Sequence, residues 1–148
     1  MLDTVFRLLL AVLCGALVGI DRELRRKPAG VRTHALVALG CATCMLFGIS
    51  LVPGPLAGDA ASRVAQGILA GIGFIGGGVI LRDTDKGKIE GLTTAALIWV
   101  VAAVGLCAGA GMWRSAGVTV ILSLALLLMG GLERVLHRFR RDENELPQ

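Results

Sequence analysis

The chain has 148 residues, 55% of them hydrophobic and 18% charged, with a mean hydropathy of +0.75 and a formal net charge of +4. A soluble domain carries about 25% charged residues, so this composition excludes an ordinary globular domain and fits an integral membrane protein. The four cysteines, Cys14, Cys41, Cys44 and Cys107, all lie in apolar stretches and do not form the spaced framework of a secreted disulfide-rich domain.

A bilayer core about 30 Å thick needs roughly 17–25 apolar helical residues. Five stretches qualify. The first, Thr4 to Ile20, tolerates Arg7. Leu2, Asp3 and the late Arg7 make a poor signal-peptide start, so the span is read as retained. A basic loop follows, DRELRRKPAGVRT, and then the second span, His34 to Val52. The turn-like PGPLAGDAAS leads to the third span, Val64 to Leu81. The charged loop RDTDKGKIE leads to the fourth, Leu92 to Ala110. After a short loop comes the fifth, Ala116 to Leu132. The tail LERVLHRFRRDENELPQ places Leu132, Val135, Leu136 and Phe139 at helical spacing between arginines, as an interfacial helix does. The chain thus divides into a transmembrane domain over residues 1–132 and a cytoplasmic interfacial helix with a flexible acidic end over 133–148.

The charges orient the bundle. Arg22, Arg25, Arg26, Lys27, Arg32, Arg82, Lys86, Lys88, Arg134, Arg138, Arg140 and Arg141 fall on one side of a five-span arrangement and make up twelve of the fifteen basic residues. Only Arg7, Arg63 and Arg114 fall on the other. The positive-inside rule then puts the N-terminus outside and the C-terminus in the cytoplasm. The fold class is all-α: a polytopic bundle of five transmembrane helices. The basic charge serves topology and anionic lipid, and needs no nucleic acid.

Residues 71 to 78 read GIGFIGGG. Gly71, Gly73 and Gly76 match the G-x-G-x-x-G dinucleotide fingerprint, which requires a strand before it and a helix after it. Here the run lies in an apolar span, where open backbone is excluded. Packing accounts for it better, because small residues four apart let membrane helices approach closely. Gly67, Gly71 and Gly78 share one face; Gly73 and Gly77 form a second. The third helix is therefore expected to lie between neighbours. Gly15 and Gly19, Gly40, Cys44 and Gly48, and Gly105 and Gly109 offer matching grooves on other helices. The alternative use of Gly76, Gly77 and Gly78 is a helix break of the transporter kind.

The polar candidates gather at the basic end. Asp21, Arg22, Glu23, Arg25, Arg26 and Arg32 lie in the first loop. Its carboxylates either bind a cation or pair with arginines and lock the helix end. Asp83 and Glu90 come from a loop on the same side and could join Asp21 and Glu23 as hard-cation oxygen ligands. Thr93 and Thr94 open the fourth span, as a helix N-cap or as a resting place for an anion at the positive helix end. Trp99 is expected between helices or along a cavity, Trp113 in the interfacial belt, and His34 at the membrane interface. A soft-metal set of His34, Cys41 and Cys44 is the weaker reading of the C-x-x-C. No acidic or basic residue lies near the middle of any span, where ion-coupled transporters carry them. No H-E-x-x-H, G-x-S-x-G or Walker motif occurs.

Three long segments together resemble the MgtC/SapB family of bacterial inner-membrane proteins. They are GALVGIDRELRRKPAGVRTHALVALG (residues 15–40), GILAGIGFIGGGVILR (67–82) and GLTTAALIWVVAAVGL (91–106). Asp21 stands where the family more often has Glu. The chain resembles the short members that lack a cytoplasmic C-terminal domain. The resemblance implies a multi-pass protein of the bacterial inner membrane, linked to low-magnesium adaptation and, in pathogens, to survival in host cells. It implies a regulator acting on other membrane proteins, including those of the ATPase type; the close-packing faces and the absence of catalytic motifs point to a non-enzymatic, homo-oligomeric protein without a cofactor. The alternative is a small oligomeric transporter or channel for Mg²⁺ or another cation.

Overall fold

The computed structural model describes residues 1–52, 54–83 and 88–144; for 81–83, 88 and 131–144 it gives the backbone course only. Five helices run in order: α1 (Leu2–Leu24), α2 (Val31–Leu51), α3 (Ala57–Gly78), α4 (Leu92–Gly109) and α5 (Trp113–Asn144). Four of them, all but α3, are long and apolar enough to cross a membrane. At 22 residues α3 matches them in length, but its glycines with Asp59, Arg63 and Gln66 lower its hydropathy. The side chains between helices and those facing outward are both apolar. Leu13, Leu17, Phe47, Phe74, Leu126 and Leu128 are all well exposed, as suits helices that meet lipid tails instead of water.

Helix α4 is the axis of the bundle. It packs against α1, α2, α3 and α5. Its buried residues (Thr94, Leu97, Ile98, Val101, Ala102, Val104, Gly105, Leu106, Ala108 and Gly109) wrap more than half of its circumference and leave Ala96 and Trp99 on the exposed face, the pattern of a helix enclosed by protein on most sides. Helix α1 instead buries one stripe, Ala11, Cys14, Gly15, Val18, Gly19 and Arg22, at intervals of three and four. One core joins α1, α2, α4 and α5 around Val18, Ala38, Val101 and Val104. A second joins α2, α3 and α4 around Met45, Ile72, Ile98 and Leu106.

Glycine sets how close these helices come. A Cβ on Gly15 would lie 2.5 Å from the His34 carbonyl oxygen, and one on Gly19 would lie 2.6 Å from Val31 Cα. Gly105 sits equally tight on Ala38 and Gly109 on Ala42. Gly48 faces Val64 of α3, while Gly40 meets nothing.

Helix α3 departs from the expectation that it lies between neighbours on two glycine faces. A Cβ added at Gly67, Gly71, Gly73, Gly77 or Gly78 would meet no atom within 4 Å, and Gly76 makes only ordinary contact with Ala95, at 3.7 Å. The physical reason is position: α3 touches α2 and α4 through Ala61, Val64, Ala65, Ile68, Leu69 and Ile72, which leaves the glycines on its outer side. The run does not break the helix. Gly76 to Gly78 form its last turn, and Val79 and Ile80 N–H donate to the Gly76 and Gly77 carbonyls at 3.3 and 3.1 Å.

Two elements differ from a simple loop-and-span picture. Leu81–Asp83 (β1) and Lys88–Glu90 (β2) pair as a short antiparallel ladder, with Leu81 opposite Glu90. This gives backbone partners to a segment read from sequence as a charged turn. Helix α5 continues without interruption to Asn144, about 48 Å at 1.5 Å per residue, well beyond the bilayer core. The flexible end placed at the extreme C-terminus lies, over 145–148, outside the described residues.

Candidate functional site at the basic end of the bundle

The end of α1, the start of α2, the hairpin, the start of α4 and the later part of α5 meet at one end of the bundle. Asp21 is the hub of its ion pairs. Its Oδ2 accepts from Arg22 Nε at 3.0 Å and from Arg22 Nη2, and its Oδ1 accepts from Arg25 Nε at 2.7 Å. Arg22 is only 4% exposed, so its charge needs the neighbouring carboxylate. Helix α1 closes with Arg25 and Lys27 N–H donating to the Asp21 and Arg22 carbonyls at 3.1 and 2.9 Å. Arg26 and Ala29 then take positive φ values of 50° and 59°. That unusual geometry turns the chain into α2 within a few residues.

Glu23 does something else. Its Oε2 accepts the Val31 N–H at 3.1 Å, giving the first turn of α2 both a partner and a negative charge at its positive end. Four residues into α2, His34 is fully buried within the bundle. Its Nδ1 lies 2.9 Å from the Gly30 carbonyl oxygen. Only a protonated nitrogen can satisfy a carbonyl, so Nδ1 carries the hydrogen. Nε2 is left buried with no partner among the described residues. The small residues around Gly15 put His34 there: the α1–α2 crossing runs over its own backbone.

The expected cation cluster does not assemble among the described residues. Asp21 is committed to two arginines, Glu23 to the α2 backbone, and Glu90 faces Lys27 at 3.9 Å. The Asp83 side chain lies outside the described residues, as do those of Arg82, Lys86 and Lys88. Among the described residues no group of three or more His, Cys, Asp or Glu could hold a metal ion. His34 and Cys41 are buried while Cys44 is exposed, so the soft-metal set does not converge either. Arg32, also a candidate, is exposed.

The capping role expected of the threonines falls to Gly91. It precedes α4 at φ +92°, with no side-chain cap. Any Cβ there would collide with the Val79 carbonyl. Thr93 is exposed and Thr94 is 1% exposed. Both border a cavity of about 590 Å³ with Arg22, Lys27, Ile89, Glu90, Gly91, Leu126, Leu127 and Gly130. Sequence reasoning missed Lys27 as a member of this group. The signal available was its place in the basic loop, opposite Glu90 once the two loops are put on one side.

At the other end, Arg7 Nη1 donates to the Gly109 carbonyl at 2.9 Å, and its Nε pairs with Asp3 at 2.8 Å. The arginine that looked merely tolerated in the first span thus closes the negative end of α4. Trp99 is half exposed and does not lie between helices, while Trp113 is exposed with Arg114 5.0 Å from its ring centroid.

Glycine-spaced apolar helices around a buried α4, with ion pairs confined to the ends, define a polytopic α-helical membrane protein. The model of the MgtC family matches residues 8–138, and the chain belongs to that family. It is 41% identical to Protein SrpB of Synechococcus elongatus, with 88% of this chain and 75% of that protein covered. It is 38% identical to Protein MgtC of Salmonella typhimurium (91% and 56% covered) and 42% identical to Protein MgtC of Brucella abortus (78% and 46% covered). The chain therefore spans about half the length of the MgtC proteins it matches. No solved structure matches it.

Proposed function

We propose that this protein is a non-enzymatic regulator of the bacterial inner membrane, tied to magnesium homeostasis and low-magnesium adaptation and, in a pathogen, to virulence. It acts by helix contact with copies of itself and with another membrane protein, of the ATPase type in the family's pattern. Family membership supports the link to magnesium. The observation that carries the mode of action is the outer side of α3. Its helix is unbroken to Gly78, yet six of its seven glycines meet nothing within 4 Å among the described residues. Bare glycine backbone facing outward favours close approach of a second helix. An unbroken α3 also offers no half-helix ion site of the transporter kind.

Two measurements test this. Crosslinking in native membranes should capture a membrane protein with wild type and lose it with Gly73→Leu or Gly77→Leu. Proteoliposomes holding the purified chain and an internal Mg²⁺ indicator should show no saturable influx. Saturable flux would replace the regulator reading with that of a small oligomeric cation transporter.

A further inference from the structure

The cavity at the start of α4 carries chemistry that the ion pairs around it do not use. Helix α4 is 18 residues long, and its first intrahelical bond runs from Ala95 N–H to the Gly91 carbonyl at 2.8 Å. The N–H groups of Leu92, Thr93 and Thr94 therefore have no carbonyl of their own helix, and the positive end of the helix dipole lies with them. Gly91 supplies no side chain to cover them.

Two buried side chains point independently to a ligand. Thr94 borders the cavity at 1% exposure, and its hydroxyl makes no hydrogen bond within the described chain. A threonine inside a helix ordinarily returns its hydroxyl to the carbonyl four residues back, as Thr43 does to Leu39 at 2.9 Å. Thr94 does not. Arg22 borders the same cavity at 4% exposure. Asp21 takes its Nε and Nη2, which holds the guanidinium at the cavity wall. A buried hydroxyl with no partner among the described residues is left available to a ligand.

Lys27 adds a mobile cation to the rim. It stands 3.9 Å from Glu90, beyond hydrogen-bond length, and the Glu90 side chain is 58% exposed, so the pair is weak and Lys27 can turn to another anion. Among the described residues Glu90 is the one carboxylate on the wall, and its side chain is exposed. The opposite wall, Leu126 and Leu127 of α5, is apolar. A cavity of about 590 Å³ is of the size that holds a small organic ligand.

We infer that this cavity is a site for a phosphate group, held by Arg22, Lys27, the Thr94 hydroxyl and the free N–H groups of α4. The phosphate comes either from solution or from the headgroup of an anionic phospholipid, whose glycerol end would lie along Leu126 and Leu127. The inference does not depend on the regulator reading.

The test uses the full chain in nanodiscs, wild type beside Thr94→Val and Lys27→Gln. Thr94→Val keeps side-chain volume, and circular dichroism checks that both variants remain folded. Inorganic phosphate is titrated against discs of phosphatidylcholine alone. Retained phosphatidylglycerol is measured by native mass spectrometry from mixed discs. In at least one arm binding is expected, weakened about tenfold or more in each variant, as befits a lost hydrogen bond to a charged group. Binding in the first arm alone assigns a soluble phosphate; binding in the second alone assigns a lipid headgroup; binding in both assigns a site open to either. No binding in either arm, or binding equal in wild type and both folded variants, overturns the inference.

Discussion

Replacing Gly105 by Ala tests how the centre of the bundle is held. The new Cβ would lie 2.9 Å from both Ala38 Cα and Cys41 Cβ, and nearer still to the Ala38 carbonyl oxygen. Comfortable carbon contacts begin at about 3.5 Å. These neighbours are backbone and Cβ atoms of α2 that no rotamer change can remove, so α2 and α4 must separate by about 0.6 Å or more. Overpacking of this kind costs about 1–3 kcal/mol. Against it stands the helix preference for Ala over Gly, about 1 kcal/mol. With contacts this close the clash wins, for a net loss of up to about 2 kcal/mol. Gly73→Ala is the control with the opposite sign. Nothing lies within 4 Å of its Cβ, so only the preference acts, and a gain of up to about 1 kcal/mol follows. Both variants and the parent would be unfolded from monomeric mixed micelles by rising SDS mole fraction, followed by far-ultraviolet circular dichroism. Gly105→Ala matching or exceeding the parent would refute the packing argument, and so would Gly73→Ala losing stability.

Other substitutions read the two ends of the bundle. Asp21→Asn leaves the buried Arg22 without its counter-charge and should cost about 2–3 kcal/mol in the same assay, short of a fully buried broken pair because Asp21 keeps some contact with water. Glu23→Gln, which weakens only the cap on α2, should cost about 0.5–1 kcal/mol; equal losses for the two would refute Asp21's role as hub. Arg7→Met removes the tie between α1 and the Gly109 carbonyl and should cost about 1–2 kcal/mol, tempered because the side chain is partly wet. Gly91→Ala must place a side chain both in the left-handed region and against Val79, so it should lose at least about 1–2 kcal/mol by thermal unfolding, whereas Gly58→Ala, which meets nothing, should not.

Much of this architecture was legible because hydropathy and charge act over whole segments. Span length gave five helices, and the basic loops assigned the ends that Lys27, Glu90 and the α4 start share. Small-residue spacing was less informative, because it reports that a helix has a bare face and not whether that face is filled by the same chain. Gly105 and Gly67 look alike in sequence, yet one touches α2 and the other touches nothing. The hairpin at 81–90 was hidden because three-residue strands are too short to show an alternation. His34 carried no sign of burial either: its position near a loop suggested an interface, and only the close α1–α2 crossing at Gly15 covers it. At the cavity, Thr94 was visible as a polar residue at a helix start. That Gly91 takes the capping position, and so leaves Thr94 uncommitted, depends on a backbone angle that composition does not reveal.

The central place of α4 has a bearing on how the protein is made. Its seat is formed by α1 and α2, whose glycine crossing can close once the first 51 residues have entered the bilayer. From then until Gly109 has been synthesised, the Ala38 and Ala42 surface of α2 faces lipid, or any other helix that happens to be near. A chain stalled after α3 would present that vacant seat to its surroundings. The centre of the bundle is therefore filled by its fourth helix, late in the order of synthesis and before α5 adds Ala116, Val120 and Leu127 to the same core.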